Sequence, residues 1–154
     1  MIRDQINAAL KEAMKSKDQI SLSTIRLITA ALKDRDIAAR SKGQSDGIGD
    51  DEILSMMQTM IKQRVDSAKM YRDGGRPELA ESEEQEILVI QNFLPAQLSE
   101  AEIDAAIEAV IAETEASSVK DMGKVMAALK AGYAGQMDFS AASQKIKTRL
   151  MGQS

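Results

Sequence analysis

With 154 residues, a net charge of −4 and 29% charged residues, the chain suits one ordinary domain or two small ones in a well-solvated globular protein. It has no Cys and no His, which removes disulfides, thiolate zinc sites, a Cys nucleophile and the usual imidazole base. Only two Pro interrupt a chain rich in Ala, Met, Leu, Ile, Glu, Lys and Gln, so the composition favours helix.

Ile2, Ile6, Leu10 and Met14 recur four apart and predict a first helix over Ile2–Met14 with one buried stripe. A break at Lys15–Asp18 follows, with Asp18 suited to cap a second helix over 19–39. In that helix Ile25, Ile28, Leu32 and Ile20 are expected inside, and Arg26, Lys33, Arg35 and Arg40 in water. Gly43, Gly47 and Gly49 among polar residues make 41–50 a flexible loop. A third helix, capped by Asp50 or Asp51, presents Ile53, Met57, Met60 or Ile61, Val65 and Ala68, and ends near Tyr71. Met56 falls off this stripe, leaving it a choice between core and interface.

Gly74, Gly75, Arg76 and Pro77 read as a helix stop followed by a helix start. The fourth helix covers 77–93, with Leu79, Ile87, Ile90 and Leu94 near one face. Glu83 interrupts that face, so the first turn is expected to project beyond its partners. Pro95 marks the clearest boundary in the chain. Ser99 and Glu102 then form a capping box for a fifth helix with Ile103, Ile107, Val110 and Ile111 inward. Ser118 opens a sixth helix on Met122, Val125, Met126 and Leu129. After a turn over 132–138, Asp138 caps a seventh that buries Phe139, Ala142, Ile146 and Leu150. The expected fold is all-α: an N-terminal four-helix, bundle-like domain over 1–94 and a small three-helix domain over 96–154.

Little in the chain points to catalysis. The acids sit where helix surfaces and caps want them. A carboxylate metal site in a helical bundle leans on Glu-x-x-His pairs, which a chain without His cannot supply. No phosphate-loop or dinucleotide glycine motif occurs. No catalytic residue, metal or cofactor is expected. The longest strongly apolar run, Ile87–Ile90, is far short of a membrane span, and the first residues lack the apolar core of a secretory signal. A cytoplasmic protein without membrane attachment is the expectation.

Charge is distributed unevenly in the last third. Residues 96–116 carry six acids and no base, and residues 117–154 carry six bases against two acids. Lys120 and Lys124, and Lys145 and Arg149, are each four apart on predicted helices. Such pairs could straddle a phosphate backbone, against the plainer reading of ordinary solvated helix faces. Gly123, inside a helix, costs about 1 kcal/mol against Ala, which implies close helix packing or the approach of a ligand backbone. Aromatic residues are scarce, so any RNA bound would be a folded one recognised through shape and phosphates.

The run Met122-Gly123-Lys124-Val125-Met126-Ala127-Ala128-Leu129, with Tyr133-x-Gly135, Asp138 and Ser143-x-x-Ile146-Lys147-x-x-Leu150, resembles the GatB/YqeY family. Upstream, Leu22–Leu27, Ile61–Arg64 and Ile90–Leu98 are similar to its stand-alone YqeY branch, so the resemblance covers essentially the whole chain. It implies an all-helical, two-part fold whose C-terminal module is similar to the tRNA-holding tail of the glutamine-dependent tRNA amidotransferase B subunit. The implied function is a bacterial, non-catalytic tRNA-binding accessory module in translation, with Lys120, Gly123, Lys124, Lys130, Lys145, Lys147 and Arg149 as RNA contacts. Two alternatives are a component of a carbon–nitrogen ligase with glutamine as amido-N donor, and a protein-interaction adaptor with a translation-related partner.

Overall fold

A computed structural model of the chain describes residues 1–152. Among these, seven α-helices and one 3₁₀ turn account for the regular structure, and there is no strand. The helices are α1 (Ile2–Ser16), α2 (Gln19–Arg40), α3 (Asp50–Asp73), α4 (Pro77–Gln91), α5 (Glu100–Thr114), α6 (Met122–Tyr133) and α7 (Phe139–Met151). The all-α class is as the sequence predicts. The chain divides into two compact units, Met1–Pro95 and Ala96–Ser154, the latter described through Gly152.

In the first unit, α3 lies along α4, and α2 packs on α1, α3 and α4. The core is built from Ile6, Ala13, Ile25, Ile28, Leu32, Ile53, Met57, Met60, Ala80 and Ile90. Burying a large apolar side chain of this kind is worth about 1.5–3 kcal/mol. Met56 is as deeply buried as Met57, which resolves its two readings in favour of core. The expected stripes need correction at their edges. Ala13 is buried and Met14 exposed, because the α1 stripe turns with the 3.6-residue period rather than holding a strict spacing of four. Ile20, Val65 and Leu79 are likewise exposed. The first turn of α4 does not project: Ala80 is completely buried there, and its small side chain lets another helix approach. Glu83 is only partly exposed. Its carboxyl is pushed up by burial and by the neighbouring Glu86, against the pull of Arg64.

Helix boundaries follow the caps. The Asp18 side chain accepts from the Ser21 amide at 3.2 Å and starts α2. Lys17, in the left-handed region at φ 58°, ends α1. α3 starts at Asp50 with Gly49 as its N-cap, so Asp50, Asp51 and Glu52 all lie in the first turn, beside the positive end of the helix dipole.

The second unit has its own core of Ala106, Ile107, Val110, Ile111, Val125, Leu129, Met137, Ala142, Ile146 and Leu150. Ser99 and Glu102 form the expected capping box at the start of α5, at 3.2 and 3.0 Å. Ser118 opens the 3₁₀ turn Val119–Asp121 rather than α6 itself. Asp138 accepts from the Ser140 and Ala141 amides and starts α7. The turn before it is not a passive connection. Met137 is buried, Gln97 Nε2 donates to the Gly135 carbonyl at 2.7 Å, and the Leu98 amide donates to the Gln136 carbonyl at 2.9 Å.

Candidate functional site

Between α1 and α2 lies a cleft of about 310 Å³, lined by Arg3, Ile6 and Asn7 of α1 and by Thr29, Leu32, Lys33, Asp36, Ile37 and Arg40 of α2. Helical spacing accounts for the α2 wall. Residues 29, 33, 36 and 40 follow an i, i+4, i+7, i+11 pattern and fall on one side of the helix. Ile6 and Leu32 are buried and form an apolar floor. Ile37 is 50% exposed, so the cleft has an open apolar flank as well.

A charged clamp forms part of the cleft lining. The Arg3 guanidinium donates from Nη1 to Asp36 Oδ2 at 2.8 Å and from Nη2 to Asp36 Oδ1 at 2.7 Å. Nη2 also donates to the Ile48 carbonyl at 2.8 Å, and the Ile48 amide donates back to Asp36 Oδ1 at 3.0 Å. The Arg3 hydrogen bonds, helped by the Ile48 amide, hold the Asp36 carboxyl down at about 2. This network corrects the expectation of a loose loop over 41–50. Ile48 is buried, and the glycine before it is pressed against the clamp.

Lys33 and Arg40 remain. Both are exposed, and among the described residues neither forms an ion pair or a side-chain hydrogen bond; Arg40 acts on Asp36 only through space. With Arg3 and Asp36 cancelling each other, two positive charges border a small, half-apolar cleft. No motif marked this site. Its signal is the register of Lys33, Asp36 and Arg40 on one face, and both lysine and arginine read as plain solvated residues in the sequence.

The C-terminal cations are arranged otherwise. Lys145 reaches across to α5, where it pairs with Glu100 and with Asp104, the latter at 2.9 Å. Arg149 pairs with Glu108 through Nε and, at 3.0 Å, through Nη2. Three α5 acids four residues apart thus face two α7 bases four apart, so two of the six C-terminal bases are spent inside the unit. The Glu108 carboxyl is pulled down by Arg149, and the Lys145 ammonium is pushed up by Glu100 and Asp104. Lys120, Lys124, Lys130 and Lys147 are exposed with no ion-pair partner among the described residues. Lys120 precedes α6, Lys124 and Lys130 are on it, and Lys147 is on α7. Gly123 is exposed, and a Cβ built on it would meet nothing within 4 Å. The close packing expected at this glycine is absent; it faces open space. Among the described residues no cluster of His, Cys, Asp and Glu could hold a metal ion, and no helix is long and apolar enough to cross a membrane.

Comparison with known proteins gives similar relatives over most of the chain. A protein of Lachancea thermotolerans named altered inheritance of mitochondria protein 41, mitochondrial, is 32% identical over 152 residues, covering 94% of this chain and 76% of its own length. Its namesake in Pyrenophora tritici-repentis is 31% identical over 136 residues, covering 84% and 72%. That of Vanderwaltozyma polyspora is 33% identical over 101 residues, covering 64% and 52%. These proteins are named for mitochondria and not for tRNA, amide transfer or translation. They correct the expectation of a bacterial, cytoplasmic tRNA-binding accessory module, together with its ligase and adaptor alternatives. Of the seven residues expected to contact RNA, Lys145 and Arg149 are engaged by acids of α5. The model of the YqeY-like protein family matches residues 3–150, and the chain belongs to that family.

Proposed function

We propose that this chain does the work of the proteins named altered inheritance of mitochondria protein 41, and that it does so by binding rather than by catalysis, with the α1–α2 cleft as the working site. The observation that carries the first part is the extent of the likeness, 94% of this chain and 76% of the Lachancea thermotolerans protein. The family match begins at residue 3 and so includes both walls of the cleft. The second part is supported by the cleft's composition. It is concave, partly apolar, and bordered by a few polar groups, the usual make-up of a small-ligand site. It offers Lys33 and Arg40 as unspent charges, and the chain offers no His or Cys to do chemistry.

The test is replacement. A Lachancea thermotolerans strain lacking its relative is given this chain, delivered to mitochondria by a standard presequence, and the inheritance of mitochondria by daughter cells is scored. Rescue is expected. Failure of a chain shown to be expressed and imported contradicts the shared role.

A further inference from the structure

The cleft's two halves differ in chemistry, and the difference names a ligand. Its floor is Ile6 and Leu32, both nearly covered, and its accessible apolar surface is chiefly Ile37, half exposed at the flank. A ligand wholly polar would leave that apolar surface unmatched. Its rim carries Lys33 and Arg40, seven residues apart on α2, so their backbones are about 10 Å apart along the helix. Long, exposed side chains span much of that distance and can converge on one head group. Asp36 lies between them but does not repel an anion as a free carboxylate would: Oδ2 accepts from Arg3, and Oδ1 from Arg3 and the Ile48 amide. The rim is left with two positive charges and the neutral polar side chains of Asn7 and Thr29. The Thr29 hydroxyl already donates to the Ile25 carbonyl at 2.9 Å, so it has no proton left for an anion. The amide of Asn7 can donate.

We propose that the α1–α2 cleft binds a phosphate monoester of a short apolar body, the phosphate between Lys33 and Arg40 and the hydrocarbon on Ile6, Leu32 and Ile37. A dianionic phosphate matches the two rim charges, and arginine in particular suits its geometry. At about 310 Å³ the cleft is at the small end of ligand sites, which favours a short chain over a bulky one. The inference rests on the cleft being the working site proposed above.

Titration of the full chain with hexyl phosphate, followed by amide and side-chain NMR shifts, tests it. Saturable shifts at Asn7, Lys33, Ile37 and Arg40 are expected. Lys33→Gln and Arg40→Gln should each weaken binding by up to about fivefold, the upper end for one exposed charge pair, and Ile37→Asn should weaken it while leaving the rim intact. All three replaced side chains are exposed, so these variants keep the fold. Two further probes locate the source of the chemistry. Cosedimentation with phosphatidic acid vesicles that is lost in the Lys33→Gln/Arg40→Gln variant supports the proposal with a lipid as the phosphate carrier. Hexyl phosphate binding without vesicle binding supports it with a free ester. Inorganic phosphate binding as tightly as hexyl phosphate overturns it, because the apolar floor then plays no part. Absence of binding by both probes, or binding that the rim substitutions do not change, also overturns it. If the ligand class fails while the Lys33→Gln/Arg40→Gln chain loses mitochondrial rescue and the unaltered chain keeps it, the cleft stands as the working site with another ligand.

Discussion

Arg3 and Asp36, 33 positions apart, form a two-armed ion pair that joins the start of α1 to the last turns of α2 and holds both the backbone N–H and the C=O of Ile48. The pair is a structural hinge pin for the cleft. It fixes the spacing of the two walls and cancels the one acid that would face an anion.

This pair sets a pH dependence. The Asp36 carboxyl stands at about 2 in the folded protein, below the value of about 3.9 for an unperturbed aspartate. A depressed folded value means the stabilisation is complete above the unfolded value and is lost as pH falls through the folded one. Asp36→Asn should therefore be less stable than the parent by about 1–2 kcal/mol at neutral pH. The gap between them should close between about pH 4 and pH 2. Urea unfolding midpoints across that range check it; a gap that does not narrow contradicts the assignment.

The glycines of this chain should respond in three different ways to alanine. Gly47 has φ +84°, and a Cβ there would lie 2.8 Å from Asp36 Cγ and 2.9 Å from Arg3 Nη2. Gly43 has φ +89° but open space around it. Gly43→Ala should cost about 1 kcal/mol for the left-handed backbone alone, and Gly47→Ala should cost more because it also forces the clamp apart. Gly123→Ala, in helix α6 with nothing within 4 Å, should stabilise the protein by up to about 1 kcal/mol. Chemical denaturation of the three variants gives the order directly.

Glu83 behaves opposite to Asp36. Burial and the adjacent Glu86 raise its folded value, so its ionisation opposes folding once pH passes the unfolded value, and the penalty is complete above the folded one. Glu83→Gln should raise Tm at pH 7, and the gain should fade as pH drops below the ordinary glutamate range. A variant that melts at or below the parent at pH 7 contradicts this account of the α3–α4 pair.

Much of the architecture is legible in the sequence because it is local. Asp18, the Ser99/Glu102 box and Asp138 name their helix starts, and the 3.6-residue period names the faces of α5, α6 and α7. What escapes is non-periodic or long-range. Ile48 and Met137 are buried residues of turns, where no repeat flags them. The Arg3–Asp36 pair joins distant positions, and with it the cleft. The neutralised cations at 145 and 149 were within reach: Glu100, Asp104 and Glu108 recur every four residues, as Lys145 and Arg149 do, and matched charge periods on two helices of one small bundle are a signal for pairing. Net charge summed along the chain does not carry this signal, because it separates groups that the fold brings into contact.

The working role of the cleft is tested most directly by charge reversal in the cell. The Lachancea thermotolerans strain without its relative is supplied with this chain or with its Lys33→Glu/Arg40→Glu form, at matched level and import, and transmission of mitochondria to daughters is counted. Rescue by the unaltered chain and its loss on reversing the two rim charges is the predicted result. Equal rescue by both would contradict a role for the cleft.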